Sequence, residues 1–147
     1  CGLFDEQFEG MRMGDGEFGL RAHKAGILSI SNPEAKRVHL KTEQGGLRQM
    51  GSWDALRPTN IFKPRPIPSV FYLANIHFGK SVALCYLLTS VPFSLSPYSW
   101  KGTLKGSILS LFLFALFFPM VVLQVFVSWV MASSLIKEGP KIDSLVT

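Results

Sequence analysis

Cysteine is scarce in this chain, and the motifs of metal and haem chemistry that depend on it are missing. The 147 residues include two cysteines, Cys1 and Cys85, which form no CxxC pair and no CxxCH haem-attachment motif. The chain also has no nucleophile–base pair, phosphate-binding loop or metal-ligating cluster. These absences argue against a free-standing enzyme. Because the first residue is cysteine rather than methionine, we expect a processed or an incomplete form.

Negative charge is also in short supply, since 10 Asp and Glu residues stand against 15 Lys and Arg residues. Such a basic balance is typical of nucleic-acid-binding proteins and of membrane proteins with basic flanks. The basic residues are scattered, however, and they form no stripe with stacking aromatic side chains. We therefore expect membrane lipid, and no nucleic acid, among the partners.

Charge is entirely absent from residues 107–136, which read SILSLFLFALFFPMVVLQVFVSWVMASSLI. As a helix rising ~1.5 Å per residue, this segment would be about 45 Å long, more than the roughly 30 Å hydrocarbon core of a bilayer. The pattern predicts a transmembrane helix over residues 105–137, with a kink near Pro119. Gln124 and Ser128 are expected to face protein, because polar side chains at mid-membrane seek partners.

A second and less apolar segment, residues 69–93, predicts another transmembrane helix. Four prolines in residues 57–68 predict an extended linker before it, and Pro68 suits the first position of a helix. Residues 94–104 would form the connecting loop, whose aromatic side chains suit the membrane interface, and residues 138–147 a polar tail. The predicted fold class is an all-α membrane protein, a two-span helical hairpin. The basic flank before its first helix predicts that both termini face the matrix or cytoplasm.

Residues 1–56 are polar and glycine-rich, and they predict an irregular N-terminal arm that lies on a partner. Its start suits one short helical turn with Phe4 and Phe8 on the apolar face. Residues 26–30 and 37–41 suit two short strands paired around the turn between them. The arm has too few large apolar residues to form a stable core alone.

Three polar side chains, Asn75, His77 and Lys80, lie in the first half of the less apolar span. In one interpretation Lys80 extends to the membrane surface while its aliphatic stem stays in lipid. In the other, the three side chains line a polar cavity near the surface, because ionisable groups below the interface are costly and tend to be functional. The residues alone leave both interpretations open.

The residues around this span resemble a known family. The pattern RP-x-N-I at residues 57–61, Pro68, and the segment ANIHFGKSVAL at residues 74–84 resemble the cytochrome b large subunit of succinate dehydrogenase, respiratory complex II. In that family an Arg-Pro pair precedes the first membrane helix, which carries a Ser-x-x-His-Arg motif. His77 falls on the histidine of that motif.

The second span adds to the resemblance. LFALFFPMVVL at residues 113–123 is similar to the family's second helix, which has a Phe-Pro step before its haem-ligating histidine. KEGPKI at residues 137–142 is similar to the connection toward the family's third helix. The likeness covers residues 57–142, and the third helix itself is absent from this sequence, so a partner would have to supply it or the bundle would do without it.

The resemblance implies a subunit that shapes a slot for ubiquinone near the matrix face and supplies hydrogen-bond donors to a quinone carbonyl. The family's quinone-site serine falls on Ala74 and its arginine on Phe78, and neither side chain can replace the original. The donors would then be Asn75, His77 and Lys80, or they would come from partner subunits. No catalytic residue and no metal ligand is expected in this chain.

Haem b is not expected to be ligated by this chain. The family's haem-ligand histidine falls on Leu123, and a leucine side chain cannot coordinate iron. The resemblance therefore implies that haem b is absent or is held by another subunit. His77 would then contact a haem propionate or a backbone carbonyl, or it would bind quinone.

The resemblance also implies partners and a location. The chain would be a membrane anchor in the mitochondrial inner membrane with both termini on the matrix side, within the respiratory electron-transport chain and the tricarboxylic acid cycle. Its partners would be an iron–sulfur subunit, a flavoprotein subunit and a small membrane-anchor subunit. An alternative from a different class is a non-catalytic accessory subunit of another respiratory or photosynthetic membrane complex.

Overall fold

The computed structural model describes residues 2–36, 55–58 and 60–143. These residues form five α-helices, joined by short 3₁₀ turns: α1 (Gly14–Lys24), α2 (Pro68–Phe78), α3 (Lys80–Ser90), α4 (Leu104–Leu116) and α5 (Phe118–Glu138). Within these ranges the only β pairing is one isolated antiparallel bridge, between Asp5 and Ile142. The prediction of an all-helical chain is confirmed for the described residues, and Pro68 begins α2 as expected.

The chain reverses direction between α2 and α3, so residues 69–93 do not form the single helix expected from the sequence. A continuous helix over residues 68–90 would place its ends about 33 Å apart. Yet Arg65, just before α2, donates a hydrogen bond of 2.8 Å to Ser94, just after α3. The reversal occurs at Gly79, whose φ of 86° and ψ of 165° belong to a region that essentially only glycine adopts. The two helices form an α-hairpin.

Gly79→Ala is expected to lower the free energy of unfolding by about 2 kcal/mol, because a Cβ would meet no neighbouring atom but would strain this backbone conformation. If residues 69–93 formed one helix in the membrane, the same change would instead stabilise the protein by about 1 kcal/mol. Gly19→Ala is the matched control. Gly19 lies inside α1 with open space around it, so its replacement should stabilise. Unfolding in detergent, monitored by circular dichroism, measures the sign of the change in the free energy of unfolding for both variants.

The helices α4 and α5 are separated by a single non-helical residue, Phe117. Hydrogen bonds from Phe117 to Leu113 and from Val121 to Phe117 continue the helical pattern across the interruption. Pro119 has no N–H to continue the pattern, which explains why the regular helix is broken next to it. The kink expected near Pro119 thus corresponds to an interruption two residues earlier.

The core is built by α2, α3 and α5. Phe71 of α2 packs against Trp129 of α5 with ring centroids 4.9 Å apart. The other buried members of this cluster are small or medium aliphatic residues from α3, its C-terminal end and α5: Ala83, Leu87, Val91, Val121 and Ala132. The hairpin and α5 therefore share one apolar core.

Helix α5 has two faces of opposite character. The buried stripe contains Gln124, 3 % exposed, and Ser128, 1 % exposed, so the prediction that both face protein is confirmed. The opposite face exposes large apolar side chains: Val122, Leu123, Phe126, Val130 and Met131. A similar exposed row continues along α4: Leu104, Ile108, Leu111, Phe112 and Leu116. Of the helices in the described ranges, α5 alone is long and apolar enough to cross a membrane.

The N-terminal segment is more ordered than the irregular arm expected from its glycines. Residues 14–24 form α1 despite three glycines, and a Glu17–Arg21 pair one turn apart supports this helix. The segment packs on its own chain, through the stacked rings of Phe4 and Phe18 and through Phe8 against α2. Residues 26–30 form no strand, and their expected partner, residues 37–41, lies outside the described residues.

Candidate functional site

A buried carboxylate, Asp5, joins three distant parts of the chain. Its side chain accepts hydrogen bonds from the Tyr72 hydroxyl at 2.9 Å, from the Gln7 N–H at 3.0 Å and from the Lys141 N–H at 2.9 Å. Three donors satisfy a carboxylate that is 2 % exposed. Asp5 therefore links the N-terminal segment, α2 and the residues that follow α5.

A second buried carboxylate, Glu17, lies between α1 and α2. Arg21 binds it with two hydrogen bonds, 2.9 Å from Nε and 3.0 Å from Nη2, in the bidentate geometry that guanidinium favours. The hydrogen bond with Glu17 raises the pKa of Arg21 above its ordinary value. Arg21 also donates to the Leu3 carbonyl, which ties α1 to the start of the segment.

His77, the histidine singled out by the sequence, faces Glu17. Its Nε2 lies 3.4 Å from Glu17 Oε1, which is an ion pair when the imidazole is protonated, although the atoms are not aligned as a hydrogen bond. Lys24 lies over the same turn, donating 2.8 Å to the His77 carbonyl and placing its ammonium 5.6 Å from the Phe78 ring. We name Asp5, Glu17, Arg21, Tyr72 and His77 the junction cluster.

The junction cluster can hold charge and protons, but it has little room for a reaction. Its two carboxylates are buried, and both already accept hydrogen bonds from other side chains. Within the described ranges no three His, Cys, Asp or Glu residues lie together as metal ligands. The arrangement is suited to fixing the polar segment on the helices.

Two of the five predicted quinone-site residues, Ala74 and Phe78, line one apolar groove between α2 and α3, with a volume of about 360 Å³. The remaining lining residues are Met13, Val70, Leu73, Val82 and Tyr86. Tyr86 is the one lining residue whose side chain carries a polar group. The groove can accept an aliphatic or isoprenoid chain.

The other three predicted residues, Asn75, His77 and Lys80, do not line this groove. His77 is turned toward α1, as described above. Lys80 is exposed, with its ammonium 5.7 Å from the Trp129 ring of α5, a cation–π distance. The backbone carbonyl of Asn75 accepts the Gly79 N–H at the end of α2. The five residues therefore divide between the groove and its surroundings.

The position expected for a haem ligand does not fit haem. Leu123 is 57 % exposed on the outward face of α5, away from the core. An aliphatic side chain offers iron no lone pair, and His77, the one candidate on α2, is engaged with Glu17. Neither position therefore offers haem iron an axial ligand.

A second polar cluster, which we name the Arg65 cluster, consists of Arg65, Ser94 and Gln124. The buried Arg65 guanidinium donates 2.8 Å to Ser94 Oγ and 3.2 Å to Gln124 Oε1. Gln124 in turn donates 2.9 Å to the Ile61 carbonyl. These bonds join the proline-rich segment to α5 and to the loop after α3.

Sequence reasoning missed most of these residues. Glu17 and Arg21 had a local signal, their spacing of four, which the surrounding glycines obscured. Asp5 and Tyr72 are 67 residues apart and had none. No family model matches the chain, and no match occurs among curated proteins or solved structures.

Proposed function

We propose that this chain is an integral membrane subunit that anchors a water-soluble redox assembly, of the succinate dehydrogenase (complex II) type, to the mitochondrial inner membrane. The observation that carries the membrane anchor is the reversed polarity of α5. Its inward stripe holds two polar residues, Gln124 and Ser128, beside the smaller apolar residues Val121 and Ala132, whereas its outward face holds large apolar side chains.

A helix in water would place those side chains the other way round, with the apolar stripe inward and the polar one outward. Small and polar residues at helix contacts, with large apolar residues outward, are the arrangement of helices in lipid. The exposed apolar row extends along α4, so the apolar surface is far larger than the patches usual on soluble monomers. Lipid is the solvent that suits this surface.

The placement of both termini on the matrix side belongs to this proposal, and the two-span topology is the alternative to the α2–α3 hairpin. Backbone hydrogen bonds from Leu3 to Asp143 and from Glu6 to Lys141 support placing both ends of the described chain together. Each helix of the α2–α3 hairpin has 11 residues and is about 16 Å long, half the hydrocarbon thickness. A second full crossing would require α2 and α3 to join across Gly79, and the Gly79→Ala variant tests that rearrangement.

The complex II assignment rests on the resemblance of residues 57–142, and the α2–α3 groove supports it as a candidate site for the ubiquinone tail. Ala74 and Phe78, which occupy the family's quinone-site positions, lie side by side in a groove of suitable polarity for an isoprenoid tail. With Tyr86 as the one polar group there, most donors to the ubiquinone carbonyls would come from the iron–sulfur and small anchor subunits. Haem b would be absent or held by another subunit.

The accessory-subunit alternative is favoured by a specific observation. His77 is engaged by Glu17, and Leu123 faces outward, so neither family position presents a ligand to a redox group. In this alternative the junction cluster fixes a polar segment that contacts neighbouring subunits of another membrane complex, and the chain has no part in quinone chemistry.

Purification through an affinity tag on this chain tests the proposal. From mild detergent we expect a flavoprotein subunit and an iron–sulfur subunit to co-purify, with succinate–quinone reductase activity. Asn75→Ala is expected to leave that activity within about twofold, since Asn75 does not line the groove, whereas Ala74→Trp should fill the groove and lower it at least about tenfold. A preparation with intact partners of another complex, and with neither flavin nor succinate activity, would support the accessory role instead.

A further inference from the structure

A polar cavity of about 400 Å³ lies between the C-terminal end of α3, the loop before α4, and the segment at Arg57, and the proposed function leaves it without a role. Two cationic side chains, Arg57 and Lys101, line it together with hydroxyl-bearing residues such as Ser90 and Ser96. The aromatic rings of Tyr86 and Phe93, both partly exposed, complete its wall. The lining thus combines positive charge, hydroxyl groups and an apolar flank.

The residues that line this cavity come from a stretch of sequence without acidic residues. Residues 55–137 contain no Asp or Glu, whereas they contain seven Lys and Arg residues. No carboxylate occurs among the described residues that line the cavity. Arg65 adds positive charge behind the wall, since its guanidinium donates to the lining residue Ser94. A ligand for this cavity should therefore be an anion.

The framework of the cavity is fixed by hydrogen bonds and close packing. Arg57 Nη1 donates to the carbonyl of Ser96, and the N–H of Ser96 donates 2.9 Å to Ser110 Oγ on α4. Gly106 of α4 lies against Trp100 so closely that a Cβ there would collide with the Trp100 carbonyl. The loop is thus held on α4, and binding would require little reorganisation.

We infer that this cavity binds the phosphate group of an anionic phospholipid. The inference rests on the membrane location proposed above. Lys101 and Lys105 directly precede the uncharged residues 107–136, so the cavity lies where α4 would enter the bilayer and where lipid phosphates are found. Arg57 and Lys101 would contact the phosphate oxygens, and the flank of Tyr86 and Phe93 would cover the start of an acyl chain.

Binding of short-chain lipids to the full chain in its purified complex tests this inference. After delipidation, the preparation is titrated calorimetrically with dihexanoyl phosphatidylglycerol, with dihexanoyl phosphatidylcholine and with inorganic phosphate. We expect phosphatidylglycerol to bind at least about tenfold more tightly than either of the others. Lys101→Gln should weaken its binding about fivefold, the effect of one cation at a lipid headgroup.

Lys105→Gln is the matched control, because it removes the same charge four residues further along, in the first turn of α4, without touching the cavity lining. It should change the affinity less than about twofold. Arg57→Lys keeps the positive charge but removes the planar guanidinium group. It should lower the affinity for phosphatidylglycerol by an amount between the effects of the other two variants.

Equal losses in Lys101→Gln and Lys105→Gln would mean general surface attraction and would overturn the site. If inorganic phosphate bound as tightly as phosphatidylglycerol, the cavity would be a site for a soluble anion, and the inference of a lipid ligand would be overturned. Flotation of the same preparation with vesicles separates the two proposals. If the chain floats but fails these titrations, only the lipid site is contradicted. If the chain does not float, the membrane location is contradicted as well.

Discussion

Gln124→Leu is expected to lower the free energy of unfolding by about 3 kcal/mol. The change removes the acceptor of a charge-assisted hydrogen bond from buried Arg65 and the donor that satisfies the Ile61 carbonyl. Losing a hydrogen bond to a charged group costs about 1.5–3 kcal/mol, and loss of the partly buried bond to the Ile61 carbonyl adds to that cost. Unfolding by increasing dodecyl sulfate in mixed micelles, read by tryptophan fluorescence, measures the loss.

Ser128→Ala is the control for this prediction, because Ser128 lies one turn further along the same buried stripe. Its hydroxyl has no hydrogen-bond partner within the described ranges, so its removal should leave stability unchanged or raise it by up to about 1 kcal/mol. Equal losses in both variants would show that any change to this stripe disturbs packing. That outcome would remove the special role of the Arg65 cluster.

Phe126→Lys is expected to disfavour membrane insertion of α5 by about 3 kcal/mol. Phe126 is 61 % exposed on the outward face, where, in the proposed membrane location, an ammonium would replace a ring that faces lipid tails. Insertion is measured by placing α5 in a glycosylation-reporter fusion and comparing the inserted fraction, and in the whole chain by resistance to alkaline extraction from membranes.

Leu28→Lys provides the comparison in the whole chain, since Leu28 is also exposed but lies outside the helices, and it should leave resistance to alkaline extraction unchanged. The sign of the Phe126→Lys effect separates lipid from water around α5. If the outward face met water, replacing phenylalanine with lysine would raise solubility and leave stability within about 0.5 kcal/mol. Such a result would contradict the membrane location on which the proposed function rests.

The features that the sequence predicted correctly depend on local chemistry. Helical class follows from the long apolar runs, the start of α2 from Pro68, and the inward direction of Gln124 and Ser128 from the cost of polar groups in lipid. Each of these signals lies within a few residues of the feature it determines. Longer-range features were not accessible in the same way.

The chain reversal at Gly79 illustrates the limit. A lone glycine in an apolar run is compatible with a continuous helix, and only the contacts of Arg65 with Ser94, 29 residues away, distinguish a hairpin. The junction cluster has the same character, because Asp5 meets Tyr72 through tertiary packing. The chain reversal at Gly79 also explains why some of the predicted quinone-site residues line the groove and the others do not.

The pairing of the two ends of the described chain has a mechanical consequence. Leu3 bonds to Asp143, and Glu6 to Lys141, in antiparallel order, so the outermost bond is the one nearest both ends. A force that separated the ends would therefore break the Leu3–Asp143 bond before the Glu6–Lys141 bond, and it would reach α2 through the Asp5–Tyr72 bond only after the first of these had opened. The outermost bond would thus be the first to carry such a load.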